Sequence, residues 1–305
     1  MRSFAVTRPP AGMIGAVAVT GGLVVVSPHL DDAVLSLGAH VAARVAAGEH
    51  VEVWTAFTHA PAAADVPPGL RRFADYTARL AEDDRALAVL GAGARRFDLP
   101  ERVWRQPPAR GLRAAFRTPA DSSGFDQLGR LQELVAEALA RPGVRVLAPL
   151  GIGHHVDHVE VAVAALTAAV RLRATDRVGF YEDFYALGNG ARHRHPVTRE
   201  HAGPLWRRLR EAPGWAGPAE GVVLAATAAI GVGPSLDAYV LAWPSLAWGN
   251  AVHPVDGWSQ DRHLAAVAEY RSQTPALGGM RQLGPMLRRA HRLRGGDVIW
   301  SVRPR

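Results

Sequence analysis

The sequence predicts an α/β fold, a Rossmann-like open and mostly parallel sheet flanked by helices, with a C-terminal α/β elaboration. Three observations carry this expectation. Short apolar runs alternate with longer helix-patterned stretches through about the first 200 residues. Repeated units of that kind imply parallel strands with right-handed crossovers. Twice, an apolar strand run breaks directly into a cluster of histidines and carboxylates, which is where open α/β sheets place their chemistry.

Taken in order, Gly15–Val19 and Leu23–Val26 read as two strands joined at Thr20-Gly21-Gly22. The second is β-branched at Val24, Val25 and Val26, as a strand buried on both faces should be. Ala33–Ala47 reads as a helix, His50–Thr58 as an alternating strand, and Thr58–Leu70, rich in Pro and Ala, as a loop. Arg71–Leu90 is a long helical pattern closed by Gly91. Ala94–Leu99 is a short strand, and the prolines and glycines of Pro100–Ser123 predict a long loop. Asp126–Ala140 is helical and Pro142-Gly143 stops it. Val144–Leu150 is a strand, Val156–Arg173 a helix and Arg177–Asp183 a strand. Beyond His195 the pattern changes. Leu205–Arg210 looks helical, Val222–Trp248 mixes apolar runs with Gly and Pro, His263–Gln273 and Leu283–Leu293 look helical, and Val298–Val302 suits a last strand. With no linker and no repeat, a single domain over 1–305 is expected, its core at about 15–190 and its elaboration at about 191–305.

Composition narrows the chemistry. A hydrophobic content of 48% is ample for a large core. The absence of cysteine excludes disulfides and thiolate metal sites, so any metal must be held by His, Asp or Glu. All 35 basic residues are arginine, which together with abundant Ala and Gly reads as the bias of GC-rich coding. The formal charge is +7, but no basic tract is interleaved with aromatic residues, so nucleic acid is not an expected partner. Gly12–Val26 is too short to span a membrane. Removing it as a leader would also remove the strand that carries His29. No membrane span and a cytoplasmic location are the expectations, and the oligomeric state is unreadable.

The first polar cluster is Ser27-Pro28-His29-Leu30-Asp31-Asp32, and the second is Gly151-Ile152-Gly153-His154-His155-Val156-Asp157-His158. His155 and His158, three apart at a helix start, share a face. The two clusters can meet in one cleft if their strands are neighbours. His29, Asp32 and His158 then supply three nitrogen or oxygen ligands, a set that leaves an open position for water on a catalytic zinc and lowers the pKa of that water toward ~7. Another divalent metal is also compatible. Asp31 is free to act as general base, His155 to donate to a developing oxyanion, and Asp157 to hold a histidine in its tautomer. A plainer reading makes Asp31-Asp32 an N-cap and first-turn acid. Two clusters in matching positions argue against it. Gly151-x-Gly153 lacks the third glycine of a dinucleotide loop.

HxDD after the first strand paired with HxDH after a later one resembles the PIG-L/LmbE metal-dependent deacetylases. The resemblance implies removal of an acyl group, usually acetyl, from an amino-sugar substrate such as an N-acetylglucosaminyl conjugate. It implies zinc on His29, Asp32 and His158, Asp31 as base, and His155 assisting the transition state. Less specifically, Arg79-x-x-Glu82 followed by Leu90-Gly91 is similar to the family's substrate-facing helix, and Arg177–Asp183 and Tyr270-Arg271-Ser272-Gln273 resemble segments of bacterial members. Arg79 is thereby a candidate substrate contact, against the reading of a solvated charge paired with Glu82 or Asp83. Asp183 is a second candidate, against the reading of a loop-fixing acid, and Glu182 is open to the same two readings. The chain departs from the family at Leu30 and Ala33, where HPDDE is usual, at His154, where glycine is common, and at Gly153, where some members carry a catalytic tyrosine. Tyr181 and Tyr185 are the candidates to replace it. His193, His195, His201, His253 and His263 are expected on the surface or in loops, and Trp206, Trp215, Trp243, Trp248 and Trp258 in the core. Two alternatives stand beside the deacetylase: an amide hydrolase on a non-sugar substrate with the same metal chemistry, and a non-catalytic binding protein on the same fold.

Overall fold

A computed structural model describes residues 21–62, 66, 74–105, 112–187, 189–199 and 233–305. The expected strand at 15–19, the helix at 205–210, His201, Trp206 and Trp215 lie outside these residues. Among the described residues seven strands form one sheet: β1 (Gly22–Ser27), β2 (Val51–Thr55), β3 (Gly93–Arg96), β4 (Val144–Pro149), β5 (Val178–Tyr181), β6 (Leu246–His253) and β7 (Asp297–Pro304). Their order is β3-β2-β1-β4-β5-β7-β6. The first five pair in parallel. β7 then joins β5 antiparallel, and β6 closes the edge antiparallel to β7.

Helices cover both faces. α3 (Leu128–Ala140) and α4 (Val156–Arg171) pack on one side. α1 (Asp32–Ala46), α2 (Tyr76–Leu90), α5 (Gly257–Val267) and α6 (Met280–Arg294) pack on the other. The valine run of β1 serves both: Val24 and Val26 enter the α3/α4 core, while Leu23 and Val25 enter the other. Each fully buried side chain of this kind contributes roughly 1.5–3 kcal/mol.

Several boundaries differ from the expected ones, each for a local reason. α2 begins at Tyr76 because the Asp75 carboxylate caps it, accepting the Ala78 amide at 3.0 Å. β3 ends at Arg96, before Asp98, whose φ of 53° is incompatible with a strand. α5 starts six residues ahead of the expected His263, on the Asp256 cap, which accepts the Ser259 amide at 2.7 Å. β6 was not expected at all, because Leu246–His253 is a half-exposed edge strand containing Gly249 and Asn250. Among the described residues no helix is long and apolar enough to cross a membrane.

The order β2-β1-β4 matters for function. The crossover leaves β1 to one side and β4 to the other, so the crevice beyond their carboxyl ends is the switch point of the sheet. Both polar clusters open into it.

Candidate metal centre

β1 delivers the first cluster through a turn built on Ser27. Its hydroxyl donates to the His29 carbonyl at 2.6 Å and accepts the Ala33 amide at 3.0 Å. The His29 amide donates to Asp32 Oδ2 at 2.9 Å. Ser27 thus serves a first-turn amide of α1, and Asp31, at the N-cap position, makes no side-chain capping bond. The helix does not use the Asp31 carboxylate, so the plain capping account of that residue fails.

β4 delivers the second cluster through a loop in which Gly151, Gly153 and His154 all have positive φ. A Cβ on Gly153 would lie 2.8 Å from the Cβ of Tyr185. Glycine at that position therefore makes room for this tyrosine. Its ring lies parallel to that of His155, with centroids 6.4 Å apart, and 5.4 Å from that of His158. Tyr181, the other candidate, instead donates its buried hydroxyl to the Val26 carbonyl at 3.0 Å.

His29, Asp32 and His158 each present a donor atom, and the three lie within 4.8 Å of one another. Asp32 Oδ2 is 2.9 Å from His29 Nδ1 and 3.1 Å from His158 Nε2. On the far side of each ring, His29 Nε2 meets Asp157 Oδ2 at 3.0 Å and His158 Nδ1 meets Asp183 Oδ1 at 2.6 Å. Each imidazole is therefore held by one carboxylate while its other nitrogen faces Asp32, the usual support of a metal-bound histidine. His158 Nε2 is buried, and its 3.1 Å approach to Asp32 Oδ2 is the polar contact found for it among the described residues. Metal–ligand bonds of roughly 2.0–2.2 Å place neighbouring donors about 3 Å apart, close to the spacing seen here. Two imidazoles and a carboxylate suit zinc and also iron(II) or other divalent ions.

A second trio, His29, His155 and Asp157, also brings its donor atoms within 4.8 Å. Asp157 is already engaged there. Arg105 Nη2 lies 2.6 Å from its Oδ1, and the Arg102 amide donates to both oxygens at 3.1 and 3.0 Å. A cation on that trio would face the guanidinium, so the set built on Asp32 is the better cation site.

Burial and charge act strongly on these groups. Burial opposes protonation of His29, but Glu101, Asp32 and Asp157 outweigh it and hold its pKa well above the ordinary value. Burial likewise opposes protonation of His158, and Asp32 with Asp183 lifts it to about 9. Burial pushes Asp32 upward, yet the two histidines hold it well below the usual carboxylate range. Left to themselves, the carboxylates keep both rings protonated, and a cation would replace those protons. Asp31 behaves differently. Burial, then the charge of Asp32, pushes its carboxyl up to about 6, against Arg79 and His29. Burial, aided by His29, lowers His155 to about 3, so that ring is neutral near pH 7.

The remaining sequence candidates are placed as follows. Arg79 is neither a solvated charge nor paired with Glu82 or Asp83. It is buried and pairs with Glu101 at 2.8 Å, next to Asp31. Glu82 instead accepts the Ser272 amide and hydroxyl at 2.9 and 2.6 Å, and the Tyr270 hydroxyl lies 2.8 Å from Asp83. The Arg79–Glu82 and Tyr270–Gln273 segments, far apart in sequence, clasp one another. Asp183 is 1% exposed and is occupied by His158 and by the Ile152 amide at 2.9 Å, so it has no surface to offer a sugar. Glu182 binds Arg192 at 2.9 Å and Arg294 at 3.2 Å, as a loop-fixing acid. His195 lies in a loop, as expected, though buried there; His263, expected on the surface or in a loop, is buried within α5, and Trp258, expected in the core, is 53% exposed.

Sequence reasoning missed Glu101, Arg105 and Glu160. They come from the loop after β3 and from α4, and only Glu160 left a signal, as one acid inside an otherwise apolar helix.

Residues 24–169 match the family model described as "PIG-L: GlcNAc-PI de-N-acetylase". No curated protein matches the chain. The fold is similar to that of teicoplanin deacetylase Orf2 in its zinc-inhibited form, at 22% identity and a TM-score of 0.64, covering 93% of this chain and 98% of that one. It is similar to the A40926 pseudoaglycone deacetylase Dbv21, at 22% identity and a TM-score of 0.59, covering 93% and 97%. A deacetylase–teicoplanin complex gives 22% identity and a TM-score of 0.62, covering 93% and 98%.

Proposed function

We propose, for a chain whose residues 24–169 make it a member of the PIG-L deacetylase family, that it is a metal-dependent N-deacetylase acting on an amino-sugar conjugate. The observation that carries the metal assignment is the convergence of buried His158 Nε2 and of His29 Nδ1 on one oxygen, Asp32 Oδ2, at 3.1 and 2.9 Å. His29, Asp32 and His158 would hold the ion, zinc in this proposal. When bound, it supplies Lewis-acid activation of water and of the acyl oxygen.

The chain's own residues would supply the proton transfers. The Asp31 carboxylate accepts a proton from the water that attacks the acyl carbon, and its pKa of about 6 suits a base that must also work as an acid near neutrality. The same carboxyl returns that proton to the nitrogen as the C–N bond breaks, giving a free amine and a carboxylic acid that ionises in water. Neutral His155 donates an N–H to the developing oxyanion, and Tyr185, whose ring lies parallel to that of His155, would donate its hydroxyl as well. Asp157 and Asp183 hold His29 and His158. Arg79, fixed by Glu101, lies near enough to Asp31 for the two charges to interact. The glycopeptide named for the teicoplanin complex supports a sugar-bearing substrate of some size.

The test is release of acetate or longer acids from a panel of N-acylated amino-sugar glycosides, glycopeptide conjugates included, by metal-loaded protein. Release that is abolished by chelation and restored by zinc is expected. Cleavage confined to non-sugar amides, or no cleavage at all, would overturn the substrate assignment.

A further inference from the structure

His29 has two ring nitrogens, and which one is left for a metal depends on what grips the other. Asp157 grips Nε2 at 3.0 Å, so the orientation of Asp157 settles the matter. Asp157 is fully buried and is itself held from the loop that follows β3. Arg105, whose side chain is 4% exposed, places Nη2 2.6 Å from Asp157 Oδ1 and Nη1 2.8 Å from Glu160 Oε2. Its Nε donates to the Pro100 carbonyl at 3.0 Å, and its guanidinium lies 5.0 Å from the centre of the Phe57 ring, which packs against His29. The two carboxylates stand one turn apart on α4, and one planar fork bridges both. A lysine ammonium is a single point charge and cannot reproduce that fork.

We propose that Arg105 is the positioning residue that selects the metal-binding nitrogen of His29. It neutralises and orients Asp157, Asp157 fixes the Nε2–H tautomer of His29, and Nδ1 is left facing Asp32. By the same contact it keeps Asp157 from serving the alternative trio with His155. No hydrogen bond or ion pair joins Arg105 to His29 or Asp32 among the described residues, so its polar route to a bound ion runs through Asp157, with Phe57 packed between Arg105 and His29 as a second contact.

This rests on the metal reading above, and the experiment separates the two. Co2+ affinity is measured by chelator competition on wild type, Arg105→Met, Arg105→Lys, Asp157→Asn and Arg105→Met/Asp157→Asn, each checked by circular dichroism. Arg105→Met is expected to weaken Co2+ binding by about 10–100-fold, Arg105→Lys by less, and the double variant by no more than Asp157→Asn alone. In Zn2+-loaded wild type, where the ring is neutral, 15N ring correlations of His29 should show the single tautomer protonated at Nε2, and in Zn2+-loaded Arg105→Met a mixture. A folded Arg105→Met with affinity within twofold of wild type overturns the inference alone. If Arg105→Met does not fold, the double variant Arg105→Lys/Asp157→Asn decides it against its two single variants, additive losses overturning it. A wild-type protein that takes up neither Co2+ nor Zn2+ overturns it together with the metal reading.

Discussion

Asp31 and Asp32 are adjacent, chemically identical and held in opposite states. Asp32 sits between two histidines that stabilise its charge, whereas Asp31 is pushed up by burial and by Asp32 itself. The pair divides into a ligand and a proton carrier because of what surrounds each, and α1 draws no capping bond from Asp31. Asp31→Asn should therefore keep its metal, measured by elemental analysis, while kcat falls by about 10²–10⁴-fold. The sign of the pH dependence follows from the base role. Asp31 must be unprotonated to accept a proton, so kcat/KM of the wild type should rise with pH through about 6 and then level off. Wild-type turnover in Asp31→Asn would refute the assignment. Tyr185→Phe keeps the ring that packs on His155 and His158 and removes only the hydroxyl. A drop of about 10²-fold in kcat with little change in KM is expected if that hydroxyl meets the oxyanion, and an unchanged kcat would exclude it. The tyrosine was a named candidate in the sequence, but only the fold shows that Gly153 clears the space it occupies.

At the scale of elements, what was legible follows from how each element is stabilised. β1 and β4 are short apolar strands buried on both faces, and their chemistry must stand directly at their carboxyl ends, so strand and motif announce each other. The clasp between α2 and the segment after α5 was half visible, as two matching fragments with no sign that they touch. Arg105 was not visible, because an ion pair to Asp157 spans 52 residues and leaves no local pattern. β6 was missed because an edge strand keeps little apolar alternation. α5 was misplaced for a related reason: the apolar part of its pattern begins after the cap that starts it. The contact of α5 with α1 depends on Gly38. A Cβ there would lie 2.3 Å from Cδ2 of the fully buried His263. Gly38→Ala should therefore destabilise the protein by about 1–3 kcal/mol through overpacking, despite alanine's better helix propensity. Equilibrium urea unfolding measures this, and a stabilised variant would show that the two helices can separate without cost.

On the scale of the whole molecule, a basic chain of 305 residues places many of its titratable groups inside rather than on the surface. Burial is the largest influence on His40 and His263, lowered to about 4, and on His195, lowered to about 3. Such groups stay neutral in the folded chain and protonate near 6.5 once it unfolds, so their contribution is present above 6.5 and is lost as pH falls toward 4 and 3. Asp83 and Glu160, raised chiefly by burial to about 6 and about 7, work in the opposite sense. They favour the folded chain at low pH and lose that contribution as pH rises through 6–7. A whole-protein pH profile mixes the two, so the separable prediction compares two proteins. His195 Nε2 lies 3.0 Å from the Leu150 carbonyl, behind the loop that carries the second cluster. A glutamine can keep that donor without titrating. His195→Gln should be less stable than wild type at pH 8, and the gap should narrow as pH falls from 6.5 to 4, by up to about 1.4 kcal/mol per pH unit. Urea unfolding of the metal-free pair across that range measures the gap directly, since every other group cancels. A gap that stays constant would mean that His195 is not held neutral in the folded chain.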